Sequence, residues 1–400
     1  MFMIVYFINY YNHNIIIMIY LFYIITILLT STTGFLRSIF NSWQRTHNLY
    51  SNNYEFAKEY YDFYCKFRSP VIQSNGEKIN YIHFIEKNKE KYALFEKNLK
   101  SINKKNTELM LQNNSLRLEL NNYADIVDFD KKNNVGLMNN TIISNKFRPT
   151  AYLKVFQSPF PYIETIFNQN KKITYNWNDT GLLSPVKNQG SCGSCWAFST
   201  VSALETFMRI NGIRIDRLSE QELVDCSDEN YGCDGGLMHL AFDYIIKKGG
   251  LLNYNVYPYN AINQQCFIDK NQKQYGSHLS DYQYTIPKSI LDMKMNLIQT
   301  PITIALDADN IYFRFYKEGV IDIPSNANFS MNHAVLLVGF DYDDEGMYWI
   351  IQNSWGSDWG DNGFCRIRAV PGEGVLLCQQ YGVYPTKLYS SFNDKINYQI

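Results

Sequence analysis

Residues 189–199 constrain the chain more than any other stretch, because they read Gln-Gly-Ser-Cys-Gly-Ser-Cys-Trp-Ala-Phe-Ser. Downstream of the second cysteine, Cys195, apolar side chains recur every three or four positions, at Phe198, Val201, Leu204 and Met208. This spacing predicts a helix with an apolar face that starts near Cys195. A thiol attacks only as its thiolate, and a helix N-terminus lowers a thiol pKa. The stretch therefore predicts a nucleophilic cysteine at the beginning of a packed helix.

The pattern Cys-Gly-Ser-Cys-Trp resembles the papain and cathepsin cysteine proteases, whose catalytic cysteine is joined by a later histidine and asparagine. The chain has both residues. His333 precedes an apolar run typical of a buried strand and lies 333 − 195 = 138 positions beyond Cys195. Asn353 stands in Asn-Ser-Trp-Gly, 353 − 195 = 158 positions on, slightly beyond the usual range of about 130 to 150.

The resemblance implies covalent acyl transfer, with one role for each residue. Cys195 attacks a peptide carbonyl, His333 takes and returns the proton, and Asn353 orients the imidazole through its amide oxygen. The Gln189 side chain and the Cys195 backbone N–H donate to the oxyanion, and each such donor is typically worth ~3 kcal/mol of the barrier. Trp355 is placed to shield the bond between Asn353 and His333 from water.

The same resemblance implies a substrate site beside the nucleophile. Gly235 and Gly236 leave the backbone bare, so a substrate strand can hydrogen-bond to it. Leu237, Met238 and Ala334 line the pocket for the residue two before the scissile bond, which predicts a preference for Leu, Val or Phe there. The chain after Cys378 is about two residues shorter than the family pattern, so the floor of this pocket is either Gln380 or Tyr381. No extended loop typical of dipeptide-removing relatives lies between Gly190 and Gly232, which favours an endopeptidase.

Other readings of the motif are open to test. Cys192 and Cys195 form a C-x-x-C, which also occurs in redox pairs and zinc sites, but no second ligand pair stands at matching spacing. We therefore predict no metal and no cofactor. A catalytically inactive protein of the same fold would lack one of the four catalytic residues, and all four are present. A third hypothesis is a membrane-tethered binding protein in which the helical segment of residues 52–130 carries the binding function.

The chain has eight cysteines. The resemblance implies bridges from Cys192 to Cys233 and from Cys226 to Cys266, with Cys195 left free. Ser-Asn-Ala-Asn replaces the usual partner of Cys378 before His333, and Cys365 is an additional cysteine. We predict that Cys365 and Cys378 pair, with free buried thiols as the alternative.

The N-terminus carries an apolar run over Ile15–Leu29, followed by Thr-Ser-Thr-Thr-Gly. The run is shorter than the ~20 residues of a spanning helix, which favours a cleaved signal peptide over a retained signal anchor within residues 1–34. Disulfides and such a segment predict the secretory pathway. The destination is a lysosome-like or food-vacuole-like acidic compartment or the exterior, with membrane anchorage of the precursor as the alternative.

Residues 35–170 resemble a propeptide, with a helical inhibitory region over 52–130. Phe95, Asn98, Ile102 and Asn106 match the proregion helix of cathepsin L-like precursors, and Asn121-Asn-Tyr-Ala-Asp125 resembles the second proregion motif. Residues 131–170 have the length to cross the active-site cleft. Alignment of Trp177 with the family places the start of the enzyme around Gln169 to Thr174.

The predicted class is α+β, a papain-like two-domain fold preceded by a helical inhibitory prodomain. In residues 171–400, a helical half from Leu182 to about Ser289 faces a β-barrel-like half, with the cleft between them. The predicted partners are polypeptide substrates and the chain's own propeptide, and the mature enzyme is expected to be a monomer. A formal net charge of −1 and the lack of a basic patch with interleaved aromatics argue against nucleic acid. Glycosylation sequons occur at Asn113, Asn139, Asn178 and Asn328.

Overall fold

The computed structural model describes residues 55–68, 81–127, 136–137, 172–268, 279–324 and 328–389. The chain divides into two units, Met1–Asn88 and Lys89–Ile400, which are described separately. The predicted targeting segment over 1–34 and all of residues 138–170 lie outside the described ranges. Within those ranges, no helix combines the length and hydropathy needed to cross a membrane.

The described part of the first unit is a pair of helices, α1 (Ala57–Phe67) and α2 (Tyr81–Lys87). Their contact is aromatic. The rings of Tyr60, Tyr61 and Tyr64 lie with centroids 5.8, 5.3 and 5.0 Å from that of Phe84. Aromatic burial of this kind is what holds the helices together, since each ring removes a large apolar area from water.

The second unit begins with the long helix α3 (Lys89–Leu111), which contains the residues that match the proregion helix, Phe95 to Asn106. Its buried face carries Tyr92, Phe95, Ile102 and Leu109. The two asparagines of the proregion signature fasten this helix to the chain that follows. Asn98 donates to the Ala124 carbonyl at 2.8 Å, and Asn106 both donates to and accepts from the Leu118 backbone.

Three helices lie in the described part of the helical half. They are α4 (Cys195–Ile210), α5 (Glu220–Cys226) and α6 (Met238–Lys248). All but the last two residues of α4 are buried, so this helix is the central element of the core. The Ser219 hydroxyl caps α5 by accepting the Glu222 N–H at 3.0 Å, and Gly249 ends α6 in the left-handed conformation.

The other half is built on an antiparallel sheet. Its strands are β2 (Tyr175–Asn176), β3 (Leu279–Tyr284), β4 (Ile302–Leu306), β6 (His333–Tyr342), β7 (Met347–Gln352), β8 (Phe364–Arg368) and β9 (Gly382–Leu388). The order is β3-β9-β4-β6-β7-β8, with β2 added on β6. Among the described strands the edges β3 and β8 do not pair, so this half is an open sheet rather than a closed barrel.

Smaller elements complete the second unit. Helices α7 (Ile290–Leu297) and α8 (Ile311–Arg314) precede and follow β4. Strand β1 (Arg117–Leu118), from the N-terminal region, pairs antiparallel with β5 (Tyr316–Glu318) in a separate two-stranded sheet. The combination of separate helices and antiparallel strands is the predicted α+β class.

The cysteines follow the predicted pattern in part. Disulfides join Cys192 to Cys233 and Cys226 to Cys266, and Cys195 is free. The predicted third bridge is wrong for this structure, because Cys365 and Cys378 are both free and fully buried. Cys365 lies within β8, and Cys378 follows the Val375–Leu377 turn. A bridge requires a narrow range of distances and directions between the two side chains, which sequence spacing does not set. Burial raises the pKa of the Cys378 thiol to about 12.

Candidate active site

The candidate nucleophile lies at the first position of α4. Cys195 begins the helix after Ser194, whose hydroxyl is 2.6 Å from that of Tyr259. The helix is buried because Phe198, Val201 and Leu204 pack into the core. Its rigid position fixes the cysteine at a helix N-terminus, where the backbone dipole favours negative charge.

The candidate general base lies at the first position of β6. His333 pairs in register with Leu306 of β4, and the neighbouring Ala334 hydrogen-bonds through its backbone to the Cys195 sulfur. Asn353 follows β7, the next strand of the sheet. The His333 Nε2 atom is 2.8 Å from Asn353 Oδ1, which leaves Nδ1 for a proton exchange. The sheet thus brings together two residues that are 20 positions apart.

An aromatic layer covers the imidazole and amide pair. The Trp355 ring centroid lies 4.8 Å from that of His333, and the Phe313 ring lies 6.1 Å from it. His333 is 0% exposed and Asn353 is 3% exposed. Because a hydrogen bond gains strength away from water, this layer stabilises the orientation of the imidazole.

Gln189 is held by both halves of the second unit. Its amide nitrogen donates to the Cys192 carbonyl at 2.9 Å, and its amide oxygen accepts from the Ser354 hydroxyl at 2.6 Å. The Gln189 backbone N–H also donates a hydrogen bond to the Ser354 carbonyl at 2.9 Å, so backbone and side chain of Gln189 are both held by Ser354. These contacts set the Gln189 side chain beside the turn that leads into Cys195, where an oxyanion donor is needed. No sequence pattern predicts the contacts of Ser354 with Gln189.

A short segment of the N-terminal region covers the cysteine. The Gly136 carbonyl accepts from Gly236 N–H at 3.0 Å, and Leu137 N–H donates to the Asn332 carbonyl at 3.0 Å. Leu137 and Gly236 form a parallel bridge. The Gly136 backbone also hydrogen-bonds to the Cys195 sulfur. Residues 136–137 therefore join the helical half to the sheet half directly over the nucleophile.

Only glycine fits at this crossing. A Cβ atom built on Gly136 would lie 1.7 Å from the Gly193 carbonyl oxygen, far inside any allowed contact. Gly236 is equally confined, since its Cβ would lie 2.5 Å from the Trp196 ring. Gly235, at φ 119°, takes a conformation that L side chains rarely adopt. Of these three glycines, the sequence indicated Gly235 and Gly236 but not Gly136.

The predicted pocket residues surround the same crossing. Leu237, Met238 and Ala334 are 0% exposed, and Leu237 N–H donates to the Asn230 side chain at 2.7 Å. Leu237 and Met238 continue directly from the glycine that pairs with Gly136, and Ala334 follows His333. The predicted substrate residues therefore adjoin backbone groups that hydrogen-bond to Gly136 or to the Cys195 sulfur.

Burial shifts the pKa values of Cys195 and His333 toward their neutral forms. It raises the pKa of Cys195 to about 11, although backbone hydrogen bonds from Ala334, Gly136 and Trp196 act in the opposite direction. It also lowers the pKa of His333 to about 4, against the smaller opposing effect of the Asn353 bond. Desolvation outweighs the helix dipole here, because removing a thiolate from water costs more free energy than its interaction with one helix N-terminus contributes.

The second proregion motif packs against the aromatic layer. The Tyr123 ring centroid lies 4.8 Å from that of Trp355. Asn121 donates to the Arg314 carbonyl at 2.8 Å, and the Arg314 guanidinium donates to the Tyr123 carbonyl at 2.9 Å. Together with the pairing of β1 and β5, these contacts attach residues 117–123 beside His333 and Asn353.

The described residues hold no group of three or more His, Cys, Asp or Glu side chains arranged to bind a metal ion. The reactive groups present are a thiol, an imidazole and carboxamides. They suit acyl transfer through a thioester.

This fold, with a cysteine at a helix start and an imidazole–amide pair on adjoining strands, defines a cysteine peptidase. The chain belongs to the papain family: the model described as papain family cysteine protease matches residues 172–383. A cathepsin L-like peptidase of Aedes aegypti is 34% identical over 337 residues, covering 82% of this chain and 94% of its own length. Human cathepsin L2 is 35% identical, covering 69% of this chain and 80% of its own.

Solved structures with the propeptide in place match most of the chain. Digestive procathepsin L2 from Tenebrio molitor superposes with a TM-score of 0.67 at 28% identity, covering 83% of this chain and 99% of the other. A recombinant stem bromelain precursor gives a TM-score of 0.64 at 26% identity, with the same coverage. The likeness therefore extends beyond the peptidase region into the N-terminal part.

Proposed function

We propose that the chain is the zymogen of a cathepsin L-like cysteine endopeptidase. The observation that carries the proposal is the placement of Cys195 at the start of α4, next to the backbone of Ala334 and the 2.8 Å His333–Asn353 bond. The mature enzyme would cut extended polypeptide and prefer an apolar residue two positions before the scissile bond.

The chemistry follows from these groups. The Cys195 thiolate adds to the peptide carbonyl carbon, and the Gln189 side chain with the Cys195 N–H donates hydrogen bonds to the oxyanion. As the C–N bond breaks, His333 gives its proton to the leaving amine. Water then attacks the thioester carbon while His333 accepts a proton from that water. The C–S bond breaks, which frees the Cys195 thiolate and releases the acid product. Asn353 keeps the imidazole oriented through both steps.

The substrate contacts would be mainly backbone and apolar. Gly235 and Gly236 offer an open backbone edge, and Gly236 already hydrogen-bonds to an extended segment at Gly136. Leu237, Met238 and Ala334 offer an apolar surface next to that edge. An extended peptide in the same place would gain main-chain hydrogen bonds for affinity and side-chain burial for selectivity.

The zymogen assignment rests on the covered nucleophile. Residues 136–137 occupy the place between Gly236 and Asn332, and Cys195 is 0% exposed. We propose that residues 1–34 form the targeting segment, 35–170 the propeptide and 171–400 the peptidase domain. The two disulfides suit passage through the secretory pathway, and an acidic compartment or the exterior is the proposed destination, with an anchored precursor as the alternative.

The test compares the wild type with Cys195→Ala after acid treatment. A fluorogenic peptide with Phe or Leu followed by Arg before the reporter is assayed at about pH 5 with reductant. We expect hydrolysis by the wild type and none by Cys195→Ala. A wild type that is correctly processed but inactive on these peptides would contradict the proposal and favour a binding role for the fold.

A further inference from the structure

A tyrosine of the helical half bridges the two ends of the turn that leads to the candidate nucleophile. The Tyr259 hydroxyl donates to the Gln189 carbonyl at 2.8 Å and lies 2.6 Å from the Ser194 hydroxyl. Gln189 carries the proposed side-chain donor to the oxyanion, and Ser194 directly precedes Cys195, whose N–H is the other donor. One phenol oxygen thus links the two segments that hold the two donors.

The number of protons fixes the direction of both bonds. A phenol has one proton, and Tyr259 donates it to the Gln189 carbonyl, so the bond to Ser194 uses the serine proton. Burial raises the pKa of Tyr259 well above its ordinary value, so the phenol stays a donor at acid and neutral pH. Ser194 is the N-cap residue of α4 but makes no cap bond with its side chain, which leaves its hydroxyl for this link.

The position of Tyr259 is itself fixed by two helices. Its ring meets the Phe198 ring of α4 edge-on, with centroids 4.7 Å apart. The next residue, Asn260, donates its N–H to the Gln221 side chain of α5 at 2.8 Å, and Gln221 donates to the Ile262 carbonyl at 2.7 Å. Because Phe198 and Gln221 are both buried, the ring has a rigid support.

The other bonds of Gln189 run in different directions. The Ser354 hydroxyl and carbonyl tie its side chain and its N–H to the sheet half. The bond from Tyr259 instead ties the Gln189 carbonyl to the residue before Cys195. The spacing between the two oxyanion donors therefore depends on the phenol of Tyr259.

We propose that Tyr259 is a positioning residue that sets the separation of the two oxyanion donors, the Gln189 side chain and the Cys195 N–H, by binding the Gln189 carbonyl and the Ser194 hydroxyl together. The inference rests on the proposed function and deepens it. Preorganised donors act only where the charge develops in the transition state. Because a misplacement of about 1 Å can cost roughly 100-fold in rate, a residue that fixes their spacing affects catalysis without contact with the substrate.

The first experiment measures Tyr259→Phe in the processed enzyme with the fluorogenic peptide. Phenylalanine keeps the ring against Phe198 and removes the hydroxyl that links Gln189 to Ser194. We expect kcat and kcat/KM to fall equally, by ~10-fold, because the lost interaction acts in the transition state. Tyr257→Phe is the matched control, since it removes a phenol from the same segment that donates to Asp225 at 3.0 Å, and it should retain both parameters.

Two inhibitors distinguish displaced oxyanion donors from a general disturbance of the site. The Cys195 sulfur adds to the carbonyl carbon of a peptide aldehyde and forms a tetrahedral adduct whose oxygen takes the oxyanion position. Iodoacetamide alkylates the thiolate with loss of iodide, and no oxyanion forms. In Tyr259→Phe, affinity for the aldehyde should fall by the same factor as kcat/KM, while the alkylation rate stays within ~2-fold of wild type.

Titration of Cys195 with an irreversible thiol-directed inhibitor counts the folded sites in each variant. A titratable Tyr259→Phe with unchanged kcat/KM, or with equal losses in aldehyde binding and alkylation, would overturn the proposal and leave the peptidase assignment in place. If Tyr259→Phe gives no titratable sites, Ser194→Ala breaks the same link from its other end and should divide the two inhibitors in the same way. A titrated wild type that hydrolyses no peptide would count against the proposed function instead.

Discussion

Two opposing effects act on the thiol of Cys195. The start of α4 favours the thiolate, while complete burial favours the thiol and raises the pKa to about 11. The same burial lowers the pKa of His333 to about 4. Both shifts favour the neutral thiol and imidazole over the thiolate–imidazolium pair that attack on a peptide requires. We expect contact with water, once the site is uncovered, to reverse both shifts.

Alkylation of Cys195 by iodoacetamide should report this reversal. In the full-length protein near pH 6 we expect the reaction to be at least ~100-fold slower than after removal of the N-terminal region, because the thiol is both covered and protonated. Mass spectrometry of the peptide that contains Cys195 gives the rate at each pH. Equal rates before and after processing would show that residues 136–137 do not protect the cysteine in solution.

Gly136→Ala should weaken the autoinhibition. The added Cβ would collide with the Gly193 carbonyl at 1.7 Å, and neither backbone can move without losing its hydrogen bonds. We expect peptidase activity to develop several times faster at acid pH, measured with the fluorogenic peptide. Lys104→Ala, an exposed change on α3, is the control, and identical activation of both variants would argue against a tight crossing at Gly136.

The two disulfides close loops of almost equal length, but only the first is flanked by hydrogen bonds of the candidate site. Cys192 and Cys233 are 41 positions apart, and Cys226 and Cys266 are 40 apart. The first bridge adjoins the site, because the Cys192 carbonyl accepts from Gln189 and the Cys233 carbonyl accepts from Gly193 N–H. The second lies at the end of α5, and the bonds from Gln189 and Gly193 do not involve it.

Paired replacement of each bridge by serines should separate stability from activity. In the chain-entropy description, each removal costs about 4 kcal/mol of unfolding free energy, since the loops are alike. We expect kcat/KM of the processed enzyme to fall at least ~10-fold more for the Cys192–Cys233 variant, because Gln189 loses its support. Urea unfolding and peptide hydrolysis measure the two quantities. A similar loss of activity in both variants would contradict the assigned role of Gln189.

Local patterns predicted the elements more successfully than the contacts between them. The apolar spacing after Cys195 predicts α4, and the apolar run after His333 predicts β6, because both patterns reflect one buried face. The Cys365–Cys378 bridge was predicted wrongly, since sequence spacing contains no information on the direction of two sulfur atoms. Gly136 contacts Gly193 and Tyr381 contacts His239, so each contact joins residues that are at least 57 positions apart in the chain. Such contacts depend on the assembled fold, and the sequence gives them no periodic signal.

At the scale of the whole molecule, one buried carboxyl couples stability to pH. Glu222 on α5 is 0% exposed, and its oxygens accept from Leu252 N–H at 2.7 Å and from the Tyr244 hydroxyl at 3.2 Å. Burial raises its pKa from 4.5 to about 7, against these hydrogen bonds. A raised carboxyl pKa favours the fold below the unfolded value, and this contribution is lost as pH rises through about 7. Glu222 by itself therefore favours the folded chain more in acid than at neutral pH, whereas burial of His333, which lowers its pKa to about 4, acts in the opposite direction.

Glu222→Gln should reduce this pH dependence. Glutamine keeps an acceptor for Leu252 N–H and carries no charge, so a penalty on the order of 3 kcal/mol above pH 7 disappears. Melting temperatures of Cys195→Ala protein, with and without the second change, are to be compared from pH 4 to 8. We expect Glu222→Gln to raise the melting temperature at pH 8 relative to that at pH 4, while exposed Glu90→Gln leaves this difference unchanged. A slope unaffected by Glu222→Gln would assign the pH dependence to other groups.

The crossing of residues 136–137 over Cys195 also has a consequence for the time course of activation. If Cys195 is the catalytic nucleophile, as proposed, a molecule in which it lies beneath the chain's own backbone cannot begin its own maturation, and the first cuts should depend on rare molecules that have opened. Each mature copy then releases others. Activation should accordingly show a lag that shortens as protein concentration rises and that disappears when a trace of finished enzyme is added. The time at which proteolysis begins would then depend on the concentration of the protein in its compartment and not on the single molecule alone.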